Sequence, residues 1–138
     1  MLPNKSKSLE LTIASRIEEM RAVREFELDD EIAYWIELSI SESMINAIRH
    51  GNKSDPAKSA TLKISSNGEA IEIIVEDQGK GFDLEEIADP TADGNLLKPG
   101  GRGILIIRSF MDEVALSRRE GGGSRLRMVK HLSGNHRS

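Results

Sequence analysis

Hydrophobic and polar positions alternate in distinct periods along the chain, and the periods set the predicted elements. Leu9, Leu11 and Ile13 fall at period two, predicting a strand over 9–14. Ser15 then suits a helix N-cap, with Glu18 three residues on as in a capping box, so a helix is expected over 15–26. A longer helix is expected over 30–50, stopped by Gly51-Asn52. Its apolar residues (Ile32, Ile36, Ile40, Met44 and Ile48, joined by Tyr34, Leu38 and Ile45) cover more than one stripe, predicting burial on most sides. Two alternating runs at 60–66 and 69–76 flank Asn67-Gly68, the pair suited to a two-residue type I′ hairpin turn. Glycines then punctuate the chain at Gly79 and Gly81. An acidic helical turn over 83–88, an irregular segment over 89–101, a helix over 103–111 and two strands over 113–119 and 124–132 complete the pattern.

The resulting order is β-α-α-β-β-(lid)-α-β-β. It predicts an α+β fold, a two-layer α/β sandwich with a largely antiparallel, mixed sheet and helices on one face. Alternating βαβ units are missing, which argues against a doubly wound nucleotide fold. One domain is expected over 9–132, with polar tails at 1–8 and 133–138.

Composition narrows the function classes. The 138 residues are 38% hydrophobic and 30% charged, an ordinary globular balance. Nineteen basic against 23 acidic residues give a formal charge of −4, so direct nucleic-acid binding is not expected. The chain has no cysteine, which removes disulfides, thiolate metal sites and a cysteine nucleophile. With no apolar run near the roughly 20 residues that cross a bilayer and no apolar signal core at the start, the expected location is cytoplasmic and away from membranes.

Three segments carry candidate chemistry. Glu42, Asn46 and His50 recur every four residues and so share one face of the long helix. Polar groups in so apolar a helix need partners, although exposed or capping positions would also account for them. Asp77-Gln78-Gly79-Lys80-Gly81-Phe82 sets a carboxylate at a strand end before two spaced glycines, which suits close approach of a ligand and equally an ordinary turn. Gly100-Gly101-Arg102-Gly103 opens a helix, where free N–H groups and the positive end of the dipole suit phosphate, or simply cap a flexible loop. Gly79-Lys80 precedes Gly81 rather than Ser or Thr, so there is no Walker A motif, and Ile106 breaks the dinucleotide fingerprint. His50, His131 and His136 share no ligand spacing. Arg118, Arg119, Arg125, Arg127 and Lys130 read as a solvated strand face, or else a partner surface.

Taken in order, E-x-x-x-N, D-x-G-x-G, a lid and G-x-G resemble the GHKL superfamily of gyrase, heat-shock chaperone, histidine kinase and MutL ATPases. Asn46-Ala47-Ile48-Arg49-His50-Gly51, the short lid, Ser109-Phe110-Met111-Asp112-Glu113-Val114 and Gly123-Ser124 are most similar to the small anti-sigma-factor serine kinases. The resemblance implies a Bergerat-type ATP-binding fold, ATP and Mg²⁺ as cofactors, and a bacterial partner switch. The partners it implies are a sigma factor and a STAS-type antagonist, phosphorylated on serine, with the kinase a homodimer. It makes Glu42 the catalytic base and Asn46 the Mg²⁺ ligand. Asp77 would take the adenine amino group, with Ser124 helping. Arg49, His50, Gly79, Gly81, Phe82, Gly100, Gly101, Arg102 and Gly103 would complete the ATP site. Where some relatives carry a basic residue two before the G-x-G this chain has Pro99, with Lys98 or Arg102 as substitutes. The alternative is a non-catalytic, ATP-dependent protein-binding module of the same fold. A histidine-kinase catalytic domain is disfavoured, because no dimerisation helix with a phosphoacceptor histidine precedes the first strand.

Overall fold

The computed structural model describes residues 7–12, 16–48, 58–79, 101–119 and 122–132, with the side chains at 16, 17, 102 and 104 outside that description. Among these residues five strands form one sheet: β1 (Lys7–Thr12), β2 (Ala60–Ser66), β3 (Ala70–Asp77), β4 (Glu113–Arg118) and β5 (Ser124–His131). Their order is β1-β2-β3-β5-β4 and every described pair is antiparallel, so the parallel component expected of a mixed sheet does not occur among them. Among the described residues, three helices accompany the sheet: α1 (Arg16–Arg24), α2 (Asp30–Asn46) and α3 (Gly101–Phe110).

The core forms where alternate residues of the strands meet the helices. Leu62 and Ile64 of β2, Ile71 and Ile73 of β3, and Met128 of β5 are almost wholly buried against Val23 of α1, Ile36 and Ile40 of α2, and Ile107 of α3. Each such aliphatic side chain contributes roughly 1.5–3 kcal/mol by leaving water. The opposite sheet face is roofed by charge: Arg127 pairs with both Glu72 and Glu113, and Glu76 with Lys63, Arg119 and Arg125. Beneath this roof lie Ile74, between Lys63 and Arg127 in the register, and Val129, between Glu72 and Glu113. Aliphatic stems of the charged residues can cover such positions.

Several expectations change. β1 begins two residues earlier than its hydrophobic pattern, at Lys7, because β2 extends to Ser66 and offers it a partner. The hairpin turn is one residue out of place. Asn67 and Ala70 still pair, so the two loop residues are Gly68 and Glu69, and positive φ falls on Gly68 (91°) alone, the type II′ pattern. Asn67 acts from the flank instead, its Oδ1 accepting the N–H groups of Glu69 and Ala70. The long helix is not buried on most sides: Ile36, Ile40 and Met44 face the sheet, while Tyr34, Ile45 and Ile48 are exposed. Nor do the five basic residues form one face, since strand alternation sends Lys130 the other way, over the Phe110 ring and onto its carbonyl oxygen. The caps placed at Ser15 and Gly51-Asn52, the turn at 83–88 and the lid as far as Gly100 lie outside the described residues, whereas Gly101, expected in the irregular segment, already begins a helix two residues before the predicted start.

Candidate functional site

Helix direction gathers the chemistry-bearing residues at one end of the sheet. A cavity of about 670 Å³ lies at the hairpin end, where Asp29 and Ile32 at the start of α2 approach Gly68 and Leu132. The C-terminal end of α2, with Asn46, therefore lies toward the far end of the sheet, where β3 finishes at Asp77 and β5 starts at Ser124. α3 runs antiparallel to α2, since Phe110 stacks on Trp35 with ring centroids 6.0 Å apart while Gly103 sits against Glu42. Its N-terminus, Gly101, thus opens at the same end as Asn46.

Asn46 is fully buried, and neither its Oδ1 nor its Nδ2 has a hydrogen-bond partner among the described residues. A buried orphan of this kind costs about 1–3 kcal/mol. Immediately after it, Ala47 and Ile48 wind in a π-type turn, a distortion frequent at functional sites. Glu42, one turn earlier, is half-buried. A side chain at Gly103 would place its Cβ 2.2 Å from Glu42 Oε1 and 2.7 Å from Glu42 Cβ, so glycine is what lets the two helices meet there.

Asp77 is buried at the last position of β3. Its Oδ1 accepts the backbone N–H groups of Gly79 at 3.1 Å and Ser124 at 3.0 Å. Burial pushes its pKa above the usual carboxylate range, against the opposing pull of those two amides and of the Arg119 and Lys58 charges. Ser124 is buried too, and it contributes through its main chain. Gly79 is buried beside it.

Two contributors stand outside the expected ATP-site residues, although Gly123 belonged to the Gly123-Ser124 pair that carried the resemblance. Arg119 Nη1 donates to the carbonyl oxygen of Asp77 at 2.7 Å. Gly123, at φ 101°, passes so close that a Cβ there would lie 2.0 Å from that same oxygen. The run Gly121-Gly122-Gly123 was the available signal for the second, but the first has none, because its partner is a main-chain atom 42 residues away. Arg49, His50, Gly81, Phe82 and Gly100, the Arg102 side chain, and Lys98 and Pro99 lie outside the described residues.

No set of three or more metal-ligating side chains occurs among the described residues. The donors that remain suit a hard cation held mostly by a ligand: one amide oxygen from Asn46, with phosphate and water to complete an octahedron, as Mg²⁺ prefers. No described helix is long and apolar enough to cross a membrane.

An open antiparallel sheet with helices on one face, and a buried carboxylate, a buried amide and a glycine-opened helix at one end, defines a nucleotide-binding α+β class. Residues 3–130 match the model of the histidine kinase-like ATPase domain, and the chain belongs to that family. Similar proteins include the anti-sigma F factor of Anoxybacillus flavithermus, 31% identical over 71% of this chain and 68% of the relative. The anti-sigma F factor of Heyndrickxia coagulans is 35% identical over 68% and 66% of the two chains. The serine-protein kinase RsbW of Bacillus subtilis is 27% identical over 72% and 64%. The chain thus spans about two-thirds of the length of these relatives.

Proposed function

We propose that the protein is an ATP-dependent serine protein kinase and anti-sigma factor, acting in a bacterial partner switch. The observation that carries the reading is the buried, unpartnered Asn46 amide at the same end of the sheet as buried Asp77 and the opening of α3. The names of the relatives, anti-sigma F factor and serine-protein kinase, supply the partner class.

Asp77 recognises the base: two amides hold Oδ1, and Oδ2 accepts the adenine amino group. Main-chain N–H groups at Gly101, Arg102 and Gly103 hold the phosphates from the positive end of α3. Asn46 Oδ1 holds Mg²⁺, which when bound neutralises phosphate charge. Arg49, His50, Gly81, Phe82 and Gly100 complete the nucleotide contacts. Glu42 takes the proton from a serine hydroxyl of the antagonist as that oxygen attacks the γ-phosphorus and ADP leaves. The partners are a sigma factor and a STAS-type antagonist in the cytoplasm, and the kinase works as a homodimer.

Labelled ATP incubated with cognate antagonist and with wild type or Glu42→Gln tests the reading. The variant keeps size and hydrogen bonding but cannot take up the proton. It should bind ATP and lose phosphotransfer by about 10²–10⁴-fold. Equal phosphotransfer by both proteins would remove Glu42 as the base. No transfer by either, with partner capture intact, would leave a binding module in place of a kinase.

A further inference from the structure

The β4–β5 turn reaches back to the end of β3 by three independent contacts. Arg119 Nη1 donates to the Asp77 carbonyl oxygen at 2.7 Å. Gly123 packs its Cα side against that same carbonyl. The Ser124 N–H holds the Asp77 carboxylate at Oδ1. The turn itself is tied across its base, Arg119 N donating to Gly123 O at 2.9 Å and Gly122 N to Arg119 O at 3.1 Å. Resting on the base-recognition reading of Asp77, we propose that Arg119 is a positioning residue for nucleotide recognition, clamping the Asp77 main chain so that its carboxylate stays on the amides of Gly79 and Ser124.

The chemistry favours arginine for this place. A β3 strand that ends at a buried carboxylate leaves a main-chain carbonyl needing a donor, because the next residues turn away. Arg119 supplies that donor with a full charge, about one-third exposed and 4.0 Å from Glu76 Oε1. The charged groups acting on Asp77 among the described residues are Arg119 after β4 and Lys58 ahead of β2; Glu76, next to it on β3, lies on the opposite sheet face, paired with Lys63, Arg119 and Arg125. Removing Arg119 therefore releases the main chain and strips a cation from a carboxylate that burial already disfavours in its charged form.

The sign follows. Adenine needs the ionised carboxylate as acceptor, so protonation competes with binding and affinity falls on acidification. Loss of Arg119 raises the Asp77 pKa further and moves that fall to higher pH.

Calorimetric titration of the full chain with ADP, at pH 8 and pH 5, tests the clamp in wild type, Arg119→Met, Arg119→Lys and Asp77→Asn. The ligand's own titration is common to all four, so differences between proteins report the site. Arg119→Met should lose about twofold to fivefold more affinity than wild type between pH 8 and pH 5, the range set by a partly exposed charge pair. Arg119→Lys should restore most of the wild-type profile, which replacement of a merely structural side chain would not require. Should Arg119→Met not fold, Arg119→Gln makes the same comparison. Asp77→Asn without ADP binding, together with Arg119→Met or Arg119→Gln tracking wild type at both pH values, overturns the clamp and leaves base recognition standing. ADP binding by Asp77→Asn equal to wild type overturns base recognition, and the clamp with it.

Discussion

Replacing Gly123 with alanine separates a steric contact from backbone strain, because Gly122 provides an internal control. Both glycines adopt positive φ, 114° at Gly122 and 101° at Gly123, where an L side chain is strained by about 1–3 kcal/mol. At Gly122 the new methyl meets nothing within 4 Å. At Gly123 it meets the Asp77 carbonyl oxygen at 2.0 Å and its carbon at 2.9 Å, both main-chain atoms in a paired strand. Carbon and oxygen need about 1 Å more than that, so the turn must lift away from β3. The displacement breaks the Ser124 N–H bond to the Asp77 carboxylate, a charge-assisted bond of about 1.5–3 kcal/mol, and stretches the Arg119 bond to the carbonyl. Gly122→Ala should thus lose about 1–3 kcal/mol in urea unfolding. Gly123→Ala should lose roughly 2–3 kcal/mol beyond that, together with at least tenfold in ADP affinity. Equal destabilisation of the two variants with unchanged ADP affinity would refute the close approach as the reason for glycine at 123.

Two further substitutions probe the same end of the molecule. Gly103→Ala sets a methyl against Glu42, whose Cβ at 2.7 Å cannot swing aside as its carboxylate can; about 1–3 kcal/mol of stability and at least tenfold of phosphotransfer should be lost, read by urea unfolding and labelled ATP. Asp77→Asn should gain stability relative to wild type near neutral pH. The raised pKa means that the neutral Asp77 carboxyl favours folding at low pH and that this contribution is lost as pH rises through the raised value. The urea midpoints of the two proteins should therefore converge on acidification, and a gap independent of pH would count against a strained carboxylate.

Element types were legible in the sequence wherever one period dominated. β2 and β5 present Leu62, Ile64, Leu126 and Met128 inward at period two, and each runs from its predicted first residue. Boundaries and faces were harder to read. Lys7 and Ser8 have no strand pattern of their own and are strand only because Ser65 and Ser66 pair with them. The hairpin turn slipped because Asn-Gly can supply either both loop residues or a flank and the first loop residue. The cross-strand pairing of Ser66 with Ile71 decides between these, and no local rule contains it. On α2, apolar residues all round suggested burial on most sides, whereas only the stripe through Ile36, Ile40 and Met44 meets the sheet. In the candidate site, Glu42 and Asn46 were visible as polar residues on an apolar helix, and Asp77 as a carboxylate at a strand end before two spaced glycines. Arg119 was not, since its role depends on a main-chain carbonyl across the sheet end.

Asn46 offers a test in which the usual sign of a buried truncation is reversed. A buried asparagine with satisfied hydrogen bonds destabilises the protein when cut to alanine. Here neither amide atom has a partner among the described residues, so the free protein carries about 1–3 kcal/mol for each of two orphaned groups. Asn46→Ala removes both and leaves a hole of roughly 40 Å³, which at about 24 cal/mol per Å³ costs about 1 kcal/mol. The free variant should thus be as stable as wild type or more so, by about 1 kcal/mol or more, in urea without nucleotide. ATP with Mg²⁺ should reverse the ranking. At a hundredfold excess over its dissociation constant, ligand binding stabilises wild type by about 2.7 kcal/mol, and the variant, lacking the amide oxygen, should gain far less. A variant that is less stable by 2 kcal/mol or more without nucleotide, yet as strongly stabilised by ATP-Mg²⁺ as wild type, would show that the amide belongs to the core. The physical point is that an unpaired amide in a finished core is a persistent cost, and the described residues provide nothing that removes it. On the proposed reading, a hard cation carried in on phosphate would take up the oxygen half of that cost, because its demand for oxygen matches the free Oδ1 of Asn46.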